Sequence, residues 1–191
     1  MTNCTTIRNS GSSCAAIFRS VVSVILETER LIVRELTLAD APFALELLNE
    51  PAFHRYIGDK GVRDLAGAEK YLREGPLASY AQHGHGLWRV ELKATGEPVG
   101  IGGLIKRPIL PDVDIGFAFL ARHNGRGYGF ESSAAILRHG RDVLKLPAIV
   151  AITAPENPAS IGLLEKLGFR FDRMIDLPGY AGPSRLFKLE G

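Results

Sequence analysis

Residues 124–129 of this 191-residue chain, Asn124-Gly125-Arg126-Gly127-Tyr128-Gly129, carry its most readable chemistry. A strand-like run, Asp112-Val113-Asp114-Ile115-Gly116-Phe117-Ala118-Phe119-Leu120, leads into them, and a helical pattern follows. Glycines at the mouth of a helix let the backbone turn sharply and leave several N–H groups pointing at one spot. With the positive end of the helix dipole behind them, such donors suit a phosphate or pyrophosphate. Alone the run is a weak signal, because glycines also gather in ordinary turns. Its context narrows the choice. No Gly-Lys-Ser/Thr follows the glycines, which sets aside a P-loop. The loop also lies past the middle of the chain, whereas a dinucleotide fingerprint follows the first strand of its βαβ unit.

Other chemistries find little support. His54, His83, His85, His123 and His139 show no metal spacing, and Cys4 and Cys14 are too few and too peripheral for a disulfide framework or a zinc site. Hydrophobic residues make up 46% of the chain and charged ones 23%, as in an ordinary globular protein. A formal net charge of +2 gives no reason to expect a nucleic-acid or membrane partner. The apolar part of residues 14–26 is interrupted by Arg19 and is too short to span a bilayer. It also lacks the order of a signal peptide, since it runs straight into Glu27-Thr28-Glu29-Arg30. These readings predict a cytoplasmic protein with a disordered extension over residues 1–23 and one domain over 24–191.

The elements that must position the loop read as one mixed α/β unit. Leu31–Leu36 is a strand candidate, followed by a helix capped by Thr37 or Asp40 and carrying Phe43, Leu45, Leu47 and Leu48. A polar stretch with Pro51, Gly58 and Gly61 breaks the pattern. Residues 64–83 form a second helix, with Asp64 at its start and Pro76 dividing or kinking it. Strands over 87–92 and 99–105 flank the hairpin turn Ala94-Thr95-Gly96-Glu97. The strand at 113–121, the glycine turn and a helix from about Gly129 to Lys145 come next. Ala148–Ile152 is wholly apolar, as expected of a strand buried on both faces. Asn157 and Pro158 open another helix that Gly168 ends, and strands follow at 169–177 and 184–189. Trp88 and Tyr71 are read as core.

Three segments in this order resemble the GNAT superfamily of N-acetyltransferases. Residues 124–129 are similar to its Gln/Arg-x-x-Gly-x-Gly/Ala acyl-CoA loop, with Asn124 in place of the Gln or Arg. Arg122 offers a second match two residues earlier, in a register that fits the helix start less well. Asn157-Pro158-Ala159-Ser160, continuing to Leu164-Glu165-Lys166-Leu167-Gly168-Phe169, resembles a later segment of the superfamily. Leu26-Glu27-Thr28-Glu29-Arg30-Leu31-Ile32-Val33-Arg34-Glu35-Leu36 is similar to the opening of the branch that includes the ribosomal-protein N-terminal acetyltransferases (RimJ/RimL-like). The resemblance covers about residues 24–190.

It implies a mostly antiparallel mixed sheet flanked by helices, in which the strand at 113–121 splays from the one at 148–152 and acetyl-CoA occupies the gap. The N–H groups from about Arg126 through Gly127, Tyr128 and Gly129 to Phe130 would hold the pyrophosphate, Gly125, Gly127 and Gly129 would let the phosphates approach the backbone, Asn124 would complete the cofactor loop, and Arg126 would add charge. Pantetheine would bond to backbone at Phe119, Leu120 and Ala121, and an N–H near Leu120 would polarise the thioester carbonyl. Asp114 would take the proton of the attacking amine. Many relatives have a Tyr seven residues after the position of Asn157; here Leu164 stands there, and Ser160 is the nearest substitute as proton donor to the thiolate. Asn157 would bind pantetheine, cap its helix, or both. The resemblance thus implies an acetyl-CoA-dependent N-acetyltransferase without a metal, acting on a primary amine of a protein N-terminus or a small molecule. A homodimer is also compatible with it. Segments 50–63 and 178–183 would shape the acceptor site, with His83 and His85 at its border. The missing Tyr leaves a second reading, a catalytically silent acyl-CoA sensor.

Overall fold

The computed structural model describes residues 23–178 and 182–189. The expected extension over 1–23, including both cysteines, therefore falls outside the described residues except for Ser23. One eight-stranded sheet runs through the molecule in the order β1-β2-β3-β4-β5-β6-β8-β7. Its strands are β1 (Val24–Glu27), β2 (Leu31–Arg34), β3 (Leu87–Leu92), β4 (Pro98–Ile105), β5 (Val113–Phe119), β6 (Ile149–Thr153), β7 (Phe169–Ile175) and β8 (Ser184–Leu189). Every neighbouring pair is antiparallel except β5 and β6. The mixed, mostly antiparallel α/β architecture implied by the sequence is the one observed.

β1 is an addition to the expected pattern. Val24, Ile25 and Leu26 close the apolar run that begins at residue 14, so nothing local marks where a strand starts; pairing with β2 and packing of Ile25 and Leu26 on the core hold it in place. β4 is buried almost throughout and forms the centre of the sheet. Its glycines let neighbouring backbone come close: a Cβ on Gly103 would stand 2.0 Å from the Gly86 carbonyl oxygen.

Helices cover both faces. On one face α1 (Ala41–Leu48) and α3 (Leu65–Leu72) bury Phe43, Leu47, Leu48, Ala68 and Leu72 against Ile101 and Leu120. On the other, α5 (Tyr128–Asp142) and α6 (Pro158–Lys166) contribute Ile136, Leu137 and Leu164 to a cluster with Leu31, Val33, Trp88 and Phe187. Burying each large side chain contributes about 1.5–3 kcal/mol, so the two clusters clamp the sheet from both sides.

Two local departures come from proline. Pro51, expected to break the chain, instead opens a short helix, α2 (Pro51–Tyr56), because the first helical turn needs no N–H from it. Pro76 lies in a π-helical turn, Arg73–Leu77, between α3 and α4 (Ala78–His83), so the expected single helix is divided there. A wider turn accommodates the missing N–H without ending the helical run. The Asp64 carboxylate accepts from Gly67 N–H at 2.7 Å, capping α3 as its position predicted.

Asp40 precedes α1 and is 3% exposed. It accepts from Thr37 N–H at 2.8 Å and from Arg34 at 2.9 and 3.0 Å, and Arg89 lies 2.5 Å away. Burial alone would raise its pKa, but hydrogen bonds from Arg34, the Thr37 backbone and Arg89 outweigh that and hold it at about 2. This network ties the start of α1 to β2 and β3.

Candidate active site

β5 and β6 touch only at their beginnings, where Val113 pairs with Ile149 and Asp114 with Val150. β5 then continues to Phe119 beside β4, while β6 turns to pair with β8. The strands part, and a cleft of about 1780 Å³ opens between them and across the α2–α4 side of the sheet. Its lining joins the glycine turn, β5, the start of α6 and the segment 50–60.

The turn enters α5 through Gly127, at φ +82°, with Gly125 at φ +75°. Both lie in the left-handed region, which glycine occupies without steric cost. The first backbone hydrogen bond of α5 runs from Glu131 N–H to the Gly127 carbonyl at 3.0 Å. The N–H groups of Gly125 to Phe130 give no hydrogen bond to any described residue, and all of these residues except Arg126 border the cleft. Unspent donors at a helix N-terminus are what an anion needs.

A clamp holds the turn from behind. The Glu131 carboxylate accepts from Thr28 Oγ1 at 2.6 Å, Arg30 N–H at 2.9 Å and Arg30 Nε at 2.7 Å. Arg30 Nη1 donates to the Arg126 carbonyl at 3.1 Å, and the guanidinium lies 4.8 Å from the centre of the Tyr128 ring. Sequence reasoning passed over this clamp. Thr28 and Arg30 lie about a hundred residues from Glu131, and only the motif-like opening at 26–36 hinted that they mattered.

Along β5 the antiparallel register with β4 divides the N–H groups between two edges. Leu120 N–H goes to the Val99 carbonyl at 3.0 Å, and Ala121 N–H to Glu50 Oε1 at 3.2 Å. The expected carbonyl-polarising donor is therefore not Leu120, which is fully buried and already bonded. Alternation turns the N–H groups of Phe117 and Phe119 to the opposite, splayed edge. Arg126, Leu120 and Ala121 are not part of the cleft wall, whereas Phe119, Asn124, Gly125, Gly127, Tyr128, Gly129, Phe130, Asn157 and Ser160 are. Arg122 sits on a 3-10 turn (Ala121–His123) and pairs with Glu46 and with Glu97, so the alternative motif register has its arginine directed elsewhere.

Asp114 lies at the root of the splay. Its carboxylate is 1% exposed; Oδ1 accepts from Arg107 Nε at 2.9 Å, and Oδ2 has no hydrogen-bond partner. Burial pushes its pKa up to about 6, against the opposing charge and hydrogen bond of Arg107. Such a group is largely ionised at neutral pH yet readily accepts a proton. Arg107, in the loop after β4, was not singled out from the sequence because nothing local marks it.

On the far wall, Asn157 Oδ1 accepts from Ser160 N–H at 3.1 Å, capping α6 as expected. Ser160 is half-buried in the first turn. Leu164, one turn further on, is 1% exposed and belongs to the core. Of the flanking histidines, His83 lines the cleft. His85 does not: it is 7% exposed with Nδ1 2.7 Å from the Leu104 carbonyl. Tyr71, expected in the core, packs against the cluster of α1 and α3 and also lines the cleft. The segment 178–183 is described only in part, at 178 and at 182–183. Among the described residues, no group of three or more His, Cys, Asp or Glu could hold a metal ion, and no helix is long and apolar enough to cross a membrane.

Known proteins share this architecture. The chain is 29% identical over 153 residues to the uncharacterized N-acetyltransferase YoaA of Bacillus subtilis, covering 79% of this chain and 85% of that protein. An acetyltransferase from Agrobacterium tumefaciens superposes with a TM-score of 0.74 at 24% identity, over 99% of this chain and 100% of the other. RimL, a ribosomal L7/L12 α-N-protein acetyltransferase solved with coenzyme A, gives 0.75 at 15% identity, over 87% and 97% of the two chains. A Vibrio cholerae spermidine N-acetyltransferase solved with CoA and spermine gives 0.70 at 18%, over 85% and 96%. At these identities the solved structures speak for the fold. The model of the acetyltransferase (GNAT) domain matches residues 30–170, from the arginine that clamps the glycine turn to the first residues of β7, and the chain belongs to that family.

Proposed function

We propose that the protein transfers the acetyl group of acetyl-CoA to a primary amine by direct attack within a ternary complex. One observation carries this reading. A single cleft has unspent helix N-terminal donors at one end and a buried carboxylate with a free oxygen at the root of a splayed strand pair.

The N–H groups of Gly125 to Phe130 would bind the pyrophosphate, with Arg126 adding charge from the exposed side of the turn. The open edge of β5 would pair with pantetheine as an added strand does, and Phe117 or Phe119 N–H would polarise the thioester carbonyl. Asn157 Oδ1 is spent on its helix cap, which leaves Nδ2 to donate to a pantetheine amide. Asp114 Oδ2 receives the proton of the acceptor's ammonium, freeing the nitrogen lone pair. The nitrogen–carbonyl bond then forms and the carbon–sulfur bond breaks, its electron pair going to sulfur. Ser160 Oγ–H hydrogen-bonds to the departing thiolate, which takes a proton from solvent, and the surplus proton on nitrogen and the one on Asp114 leave to solvent. The family's reaction supports this reading, and RimL and the spermidine enzyme were each solved with CoA.

Calorimetric titration with acetyl-CoA and CoA, followed by thiol release across an amine panel, tests it. Asp114→Asn and Ser160→Ala should each bind acetyl-CoA normally and lose about tenfold or more in kcat. No binding of either CoA species by folded protein would refute the proposal. Leu164 favours one competing reading, an acyl-CoA sensor without turnover; tight binding with no thiol release for any amine would establish it.

A further inference from the structure

The acceptor end of the cleft carries more unspent positive charge than an amine pocket needs. Arg107 Nε is held by Asp114 at 2.9 Å, but Nη1 and Nη2 have no partner among the described residues, and the side chain is 29% exposed. Lys60 lines the same cleft and makes no ion pair or hydrogen bond with a described residue. It is exposed to water, and desolvation first, then the charge of Arg107, lowers its pKa. Tyr71 also lines the cleft near Arg107; burial raises the pKa of its hydroxyl, keeping it a hydrogen-bond donor.

The carboxylates on this side of the cleft have partners of their own, and Glu74 lies 4.0 Å from Lys70 Nζ. Asp59 is held by Arg63 and by Gly61 N–H at 2.8 Å, and Glu50 accepts from Ala121 N–H at 3.2 Å. Asp114 Oδ2 is buried and unpartnered, and the proposed reaction uses it. Two cations and a phenol beside one general base make a poor site for an amine whose neighbours are further cations, since like charges in a partly desolvated cleft repel. They suit an acceptor that brings its own anion.

We propose that the acceptor is an amine bearing a carboxylate within a few bonds, recognised by Arg107, Lys60 and Tyr71 while the amine faces Asp114. This rests on the transferase reading above. Two sources share the chemistry: a free α-amino acid, and a peptide whose first residue is acidic.

The test uses the full chain with saturating acetyl-CoA and matched acceptors. Several α-amino acids are each compared with their amide and their decarboxylated amine, at pH values that equalise the free-amine fraction. A tripeptide amide beginning with Asp is compared with one beginning with Asn. The carboxylate-bearing member should show a kcat/KM about tenfold higher, the worth of one charge-assisted hydrogen bond. Preference within the amino-acid sets assigns the free acid, and preference only between the peptides assigns the peptide. Lys60→Met should raise KM about five- to tenfold for carboxylate acceptors and leave the amides within about twofold. Amines acetylated without preference for the carboxylate, or a Lys60→Met effect equal across each set, would overturn this inference alone. No turnover of any acceptor by protein that binds acetyl-CoA would overturn the transferase reading with it.

Discussion

Replacing Arg107 by Gln should move the acid limb of the pH–rate profile upward by an amount the site geometry bounds. Burial raises the Asp114 pKa to about 6, while the Arg107 charge and its 2.9 Å hydrogen bond pull the other way. An opposite charge at this range lowers a carboxylate pKa by about 1–3 units. Arg107 is 29% exposed and partly screened, so about 1–2 units is the fitting share. Glutamine keeps a hydrogen-bond donor but not the charge, and the Asp114 pKa should rise to about 7–8. At pH 7 the ionised fraction then falls from about nine-tenths to between about half and one-tenth. Hence kcat/KM should drop about two- to tenfold at pH 7 and recover toward the unsubstituted protein's value by about pH 9. The assay follows thiol release from saturating acetyl-CoA between about pH 5.5 and 9.5. An uncharged acceptor amide keeps any anion-binding role of Arg107 out of the measurement. The ratio of variant to unsubstituted rates cancels the titration of the acceptor itself. A ratio flat with pH, or an acid limb shifted downward, would refute Asp114 as the base and Arg107 as the group that tunes it.

Three further outcomes follow from the packing. Asp114→Asn should be more stable than the unsubstituted protein at neutral pH: the folded pKa is raised, so the ionised carboxylate costs stability as pH rises from about 4 to about 6. The gap should grow over that window to at most about 3 kcal/mol, read by urea denaturation, and vanish below it. Asp40→Asn should destabilise by about 3–5 kcal/mol at pH 7, because Arg34 and Arg89 lose a buried partner. The folded pKa of Asp40 is depressed to about 2, so its contribution is present above about pH 4 and the deficit should narrow as pH falls toward 2. Gly103→Ala would set a Cβ 2.0 Å from the Gly86 carbonyl oxygen and 2.8 Å from Leu87 Cα, forcing β3 from β4. Thermal unfolding should show a loss of about 3 kcal/mol or more, or no folded protein.

Much of the site was legible in local sequence because its parts rest on local rules. The glycine turn, the Asn157 cap with Pro158 behind it and the Asp64 cap each depend on backbone geometry within a few residues, and each stands where its residue types place it. Pro51 and Pro76 were harder to read, since proline ends one helix and begins another by the same missing N–H. β1 was hidden because Val24-Ile25-Leu26 ends a longer apolar run that has no boundary signal of its own. His85, expected at the border of the acceptor site, is withdrawn to the Leu104 carbonyl, and Tyr71 both packs on the core and reaches the cleft, as tertiary packing decided.

The sequence by itself determined the family, the order of most elements and the place of the glycine turn, because periodicity, caps and glycines act over short stretches of chain. Only the tertiary structure decided which N–H groups of β5 face the open edge, since register with β4 assigns them and takes Leu120 away. It also decided that Arg107 meets Asp114, that Lys60 lines the same cleft close enough to feel the Arg107 charge, and that Thr28 and Arg30 brace Glu131. Those pairings join residues brought together by the sheet order, and the charge a carboxylate carries depends on the neighbours the fold supplies and the water it excludes.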